Sequence, residues 1–189
     1  VVATNENDIL ARVLGTGRHA AAAARATSSP SMDIQVASNF ERLLFELKGR
    51  NAGAVAELMR TFAAEGALEV EPAERDAART LFAGSRVDEP TTQAMIREVL
   101  ESTGRLVDPH TAVGIRAGRD TAPAGAPLVT LATAHPAKFP DAIRAATGRE
   151  APLPAELRAM MDAPERYTTS ADDLATIEAD ILHWIESSL

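Results

Sequence analysis

The chain has 189 residues, 46% of them hydrophobic but only 4% aromatic, and a net charge of −8. That length can bury a real core in one or two domains, and scarce aromatics with abundant Ala and Arg favour Ala- and Leu-packed helices over an all-β sandwich. The acidic balance speaks against a nucleic-acid partner, no apolar run nears the roughly 20 residues that span a bilayer, and the lack of cysteine removes disulfides, thiolate metal sites and a Cys nucleophile. Cytoplasm is the expected compartment.

Val1-Val2-Ala3-Thr4 reads as the inside of a buried strand entered without an initiator Met or a charged leader, so we expect a piece whose remainder lies upstream. Ile9, Leu10, Val13 and Leu14 mark a helix face, with Asn7 or Asp8 as its N-cap. His19 leads into five alanines, and Pro30 closes that stretch. Val36, Phe40, Leu43, Leu44 and Leu47 are spaced as one helical face that ends at Gly49. From Asn51 to Gly104 the pattern gives helical hairpins. Val55, Leu58, Met59 and Phe62 form the first helix, Ala77, Ala78, Leu81 and Phe82 the second, and Met95, Ile96, Val99 and Leu100 the third. A short strand is expected at Leu68-Glu69-Val70. Asp108-Pro109 is an N-cap followed by proline at the first helical position, which puts His110 in the first turn of a helix reaching Ala117. There the positive helix end favours neutral imidazole, and a structural histidine is the simplest reading.

Leu128-Val129-Thr130-Leu131-Ala132 predicts a buried strand, stopped by Thr133-Ala134-His135. Pro136 suits a first helical turn, and the helix then runs through Phe139, Ile143 and Ala146 to Gly148. Thr133, His135 and Lys138 thus fall at the carboxyl end of a strand, the edge where open α/β sheets bind ligands. An ordinary turn with a capping Thr and a solvated Lys explains the same residues. Beyond Gly148 come a short helix around Glu156 to Met161 and a last amphipathic helix with Leu174, Ile177, Ile181, Leu182 and Ile185 on one face, capped by Asp172 or Asp173.

Thr133-Ala-His-Pro-Ala-Lys-Phe-Pro140 resembles the C-terminal signature of threonine synthase, a pyridoxal-phosphate (PLP) enzyme. Ala3-Thr-Asn-Glu-Asn-Asp-Ile-Leu10, Ser29-Pro-Ser-Met-Asp-Ile-Gln-Val36 with Ser38-Asn-Phe-Glu-Arg42, and Asp108-Pro-His-Thr-Ala-Val-Gly114 match in the same order. The resemblance implies a helix-rich α/β chain: the C-terminal part of a fold type II PLP enzyme, tryptophan synthase β-like, with a helical elaboration. It divides the chain into 1–28 within the cofactor-domain sheet, 29–105 as the mainly helical elaboration, 106–150 carrying the Thr133 motif, and 151–189 as a helical tail. It also implies an extended path after His19, despite alanine's helix propensity.

A PLP enzyme needs a Schiff-base lysine, a phosphate nest, a partner for the pyridine nitrogen and proton-transfer groups. The chain has two lysines, Lys48 and Lys138, neither in the family's Ser-Phe-Lys-Asp context, and it has no glycine-rich phosphate turn. The resemblance therefore assigns this chain no catalytic residue and no metal. It makes Thr133 the hydroxyl that meets the pyridine nitrogen. Asn5, Asn7, Ser38, Asn39, Arg42, His110, His135 and Lys138 are its candidates for the pocket or substrate. The implied parent reaction turns O-phospho-L-homoserine and water into L-threonine and phosphate. This chain alone is expected to be inactive and not to hold PLP, with the missing N-terminal half as its partner and self-association through exposed strand edges. A phospho-lyase or dehydratase of the same fold, or a non-catalytic interaction module, are the other readings.

Overall fold

The computed structural model describes residues 1–161 and 163–188. The chain divides after Pro152 into two compact units. In the first, β1 (Val2–Thr4) pairs in parallel with β4 (Gly84–Arg86), Val2 facing Gly84 and Thr4 facing Arg86. β2 (Arg18–Ala20) pairs antiparallel with β3 (Ala67–Glu69), so the short strand lies one residue earlier than expected. β4 has no β-propensity to announce it. Gly84 is tolerated because the backbone of α1 (Ile9–Thr16) passes so close that a Cβ would lie 2.8 Å from Ala11 Cα.

The five alanines form no helix: Ala20 closes β2, and residues 21–24 carry no regular structure. Ala21 N–H donates to Gly66 O (2.9 Å) and Arg25 N–H to Asn7 Oδ1 (2.8 Å), so side chains and loops take the backbone groups a helix would have paired internally. The next helix is shorter than its apolar spacing suggests. α2 spans Phe40–Leu47, and Val36 stands outside it, 54% exposed. The Asp33 carboxylate and the Gln35 amide are bound to Thr27, Asn5 and Asn7, which pins residues 33–35 in a loop.

α3 (Ala52–Glu65) follows, with Asn51 Oδ1 accepting from Ala54 N and Gly66 in the left-handed conformation after it. Leu44, fully buried in α2, packs with Ile9, Val13, Phe62 and Leu68 in the first core, a burial worth about 1.5–3 kcal/mol for that side chain. α4 (Pro72–Arg79) stops before Leu81 and Phe82, which the spacing placed on its face; Leu81 is 80% exposed.

α5 (Glu89–Thr103), α6 (Pro109–Thr121) and α7 (Pro140–Thr147) enclose a second core of Met95, Ile96, Val99, Ala112, Ile143 and Ala146. Asp88 caps α5, and Asp108 caps α6 as the sequence indicates. Val113 and Ala117 on the next face of α6 meet Val87, Ala3 and Met32, which seats the β1–β4 pair on α6.

Residues 128–132 correct the sequence reading: they form no strand, and Val129 and Leu131 are 82% and 77% exposed. A strand needs a neighbour for its ladder, and none of the described strands pairs with them. The run still alternates. A Cβ on Gly114 or Gly118 would meet Thr130 or Leu128, so these two face α6 while Val129 and Leu131 turn outward. The turn after it is also split: Pro136–Lys138 is a 3₁₀ turn, and α7 begins at Pro140. The second unit contains α8 (Ala155–Met161) and α9 (Leu174–Ser188). Asp173 caps α9 through Thr176, and Leu174, Ile181 and Leu182 of α9 are exposed. Among the described residues no helix is long and apolar enough to cross a membrane.

Candidate functional site

A cavity of about 620 Å³ is lined by β1, the Ser31–Met32 turn, one face of α6 and residues 128–133. Its volume falls within the roughly 300–1,000 Å³ of small-molecule sites. Thr133 stands on its wall where the extended run ends, and His110 comes from the first turn of α6.

Asp108 organises the polar side of this cavity. Its carboxylate is fully buried and accepts from the His110 and Thr111 backbone N–H groups, capping α6. Oδ1 is also 2.9 Å from His110 Nδ1, and Oδ2 accepts the Thr111 hydroxyl. The Ser31 N–H donates to His110 Nε2 at 3.2 Å, so Nε2 holds the lone pair and Nδ1 carries the proton toward Asp108. The Thr133 N–H donates to Thr111 Oγ1 at 3.3 Å. The Thr133 hydroxyl makes no hydrogen bond to any described residue, which leaves it able to serve a ligand. His110 also lies against Phe139, ring centroids 4.8 Å apart.

Asn5 and Asn7 form a second buried network, and their side chains do not line this cavity. Asn5 Nδ2 lies within hydrogen-bond reach of Thr27, Ser29 and Asp33, the last at 2.7 Å. Asn7 Nδ2 reaches Asn5 Oδ1, the Arg25 carbonyl and Asp33 Oδ1. Both amides are therefore occupied in holding residues 25–33. Ser38 and Asn39 line a separate apolar pocket with Val36, Phe40 and Leu43, and Arg42 is exposed on α2.

His135 and Lys138 lie just past the cavity wall. His135 Nδ1 accepts from the Ala137 N–H at 3.1 Å as the cap of the 3₁₀ turn, and Lys138 is exposed. Lys48 is engaged elsewhere, 2.8 Å from Glu74. Of the sequence candidates the structure brings Thr133 and His110 together; the others stand apart from this cavity. Thr111 joins Asp108 to Thr133 in the first network and Asp33 joins Asn5 to Asn7 in the second, and neither is among the sequence candidates. A carboxylate with hydroxyl or amide residues two to six positions away is the signal that marks both.

The chain matches the family model described as "Threonine synthase, C-terminal" over residues 111–181. It is 47% identical over 181 residues to the threonine synthase of Pseudomonas aeruginosa, covering 95% of this chain and 39% of that protein. The crystal structure of PLP-bound threonine synthase from Brucella melitensis superposes with a TM-score of 0.84 at 45% identity, over 96% of this chain and 39% of that one. By sequence and by fold the chain belongs with the threonine synthases, as their C-terminal portion. The yeast threonine synthase structure agrees, with a TM-score of 0.79 at 29% identity over 98% of this chain and 42% of that one. The architecture is accordingly that of the C-terminal part of a fold type II PLP enzyme. The chain spans about two-fifths of the length of these threonine synthases.

Proposed function

We propose that this chain supplies one wall of the PLP site of a threonine synthase. The whole protein then converts O-phospho-L-homoserine and water to L-threonine and phosphate in the cytoplasm. The observation that carries this reading is the uncommitted Thr133 hydroxyl on the wall of a 620 Å³ cavity, in a chain whose relatives over its whole length are threonine synthases.

The residues present suit the ring-nitrogen side of the cofactor. PLP, when bound, supplies an electron sink for carbanions. Thr133 offers its nitrogen a neutral hydroxyl, which leaves that nitrogen largely unprotonated where a carboxylate would hold a proton on it. Met32 and Leu128 give the wall its apolar surface, and His110, with its lone pair turned to Ser31, carries no proton toward the cavity on that nitrogen. His135 and Lys138, beside the wall, are the contacts this reading reserves for the cofactor edge or the substrate phosphate. Lys48 and Lys138 are the chain's two lysines. The Schiff-base lysine and the phosphate nest come from the N-terminal portion that the relatives carry, and this chain alone does not turn over. In the absence of that portion, outward-facing Val129 and Leu131 offer an apolar edge through which copies of the chain associate.

The test is phosphate release from O-phospho-L-homoserine with PLP, by the chain alone and then mixed with the N-terminal portion of a matched threonine synthase. Release only in the mixture is the expected result. Turnover by the chain alone, or a mixture that binds PLP without releasing phosphate, overturns the reading.

A further inference from the structure

Three hydrogen-bonded links converge on one buried carboxylate, and they join parts of the cavity wall that are far apart in sequence. Thr111 can donate its hydroxyl proton only once, and Asp108 Oδ2 takes it, so the Thr111 oxygen is free to accept from the Thr133 N–H. On the other side, Asp108 Oδ1 fixes the proton on His110 Nδ1 and so keeps Nε2 as the acceptor for the Ser31 N–H. His110 in turn braces Phe139, six residues beyond Thr133. Reversing any one donor would break the next link.

We propose that Asp108 is the positioning residue of this site, setting Thr133 through Thr111 and the Ser31 turn through His110. It rests on the reading of Thr133 given above. α6 is the rigid part: Ala112 and Val113 next to these residues are fully buried in the two cores it joins. Residues 126–133 have no ladder of their own, and the Thr133 N–H bond to Thr111 is the anchor at their carboxyl end. A carboxylate can accept from every neighbour at once, whereas an amide in its place must turn a donor toward one of them. Asp108→Asn can therefore spare one arm, whereas Asp108→Ala removes both acceptors and loosens both; Thr111→Val loosens only the Thr133 arm, and Thr111→Ser neither.

The test is amide hydrogen exchange at Thr133 and Ser31 in the PLP-loaded mixture with the N-terminal portion, with α5 amides as the reference for a folded protein. D108A is expected to speed both amides roughly tenfold and T111V to speed Thr133 alone by a similar factor, the loss of about one hydrogen bond, while T111S stays at the wild-type rate. An unchanged Thr133 amide in T111V, or a D108A effect on one amide only, overturns the proposal. So does a wild-type Thr133 amide that exchanges as fast as that of Val129, an observation that needs no variant to fold. T133V is the separate control. A PLP absorbance spectrum untouched by T133V removes the pyridine-nitrogen reading and leaves the exchange pattern to decide the role of Asp108.

Discussion

His19 gives the most direct test of how this fold treats a buried titratable group. It is 3% exposed, stacked on Phe40 at 5.3 Å and edge-on to Phe62 at 4.8 Å, and neither ring nitrogen has a partner among the described residues. Burial first, and the nearby Arg12 guanidinium second, push its pKa below the ordinary 6.5, against a smaller opposing influence of its own backbone. The unfolded chain therefore binds the extra proton at a higher pH than the folded one does. Stability from this site is complete above about 6.5 and falls by about 1.4 kcal/mol for each pH unit down to the folded-state value. His19→Phe keeps the ring contacts and removes the two unpartnered nitrogens, whose burial costs about 1–3 kcal/mol; crowding by the larger ring offsets part of that gain. The decisive quantity is the difference between the two proteins in urea-unfolding free energy from pH 8 to pH 5. It should widen in favour of H19F as pH drops below about 6.5. Parallel pH profiles would mean that the imidazole finds a partner or water, and the reasoning fails.

Two glycines should respond to alanine with opposite signs. At Gly84 the new methyl would strike the α1 backbone, so Gly84→Ala should cost about 1–3 kcal/mol by urea unfolding. At Gly118 it would meet only the end of the Leu128 side chain, which is 43% exposed and can move; the gain in helix propensity, about 1 kcal/mol, should make Gly118→Ala neutral or stabilising. At the start of α9, hydrogen bonds from the Thr176 N–H and hydroxyl hold the Asp173 carboxyl below its ordinary 3.8. That cap is present above pH 3.8 and lost as pH falls through the depressed value. Asp173→Ala should accordingly speed exchange of the Thr176 and Ile177 amides at pH 7 while leaving α5 unchanged.

The helices were legible because each carries its own instructions. Asp108-Pro-His as a start and Gly104 and Gly148 as stops are local signals that the structure uses, while apolar spacing alone overruns α2 at its start and α4 at its end. β1 and β3 were legible as well, but β2 and β4 were not, because a strand is defined by what lies beside it. Gly84-Ser-Arg becomes β4 only because Val2–Thr4 lies alongside it, and Leu128–Ala132, with the stronger strand signature, forms none for want of a neighbour. The same logic explains α2. Val36 continues the helical spacing, but Asp33 and Gln35 are committed to Asn5, Asn7 and Thr27, and side chains 26 to 28 positions away outweigh a local preference of a few tenths of a kcal/mol.

The site divides along the same line. Thr133 and His110 were visible in the sequence because each sits in a local motif, a run that ends in hydroxyl and imidazole residues and a capped first turn. Their meeting was not visible, since it depends on Asp108 reading as more than a cap. One oxygen of that carboxylate orients an imidazole and the other takes a hydroxyl, and only through these does residue 31 come to share a wall with residue 133. Asn5 and Asn7 show the converse. Their motif belongs to the family, yet the structure occupies their amides with Asp33 and the 25–29 backbone. Their part in this chain is to hold the loop that carries Ser31. A buried polar residue in a family motif can therefore act at one remove, and what separates the two roles is the count of its hydrogen bonds: Thr133 has a side-chain group left over for a ligand, and Asn5 does not.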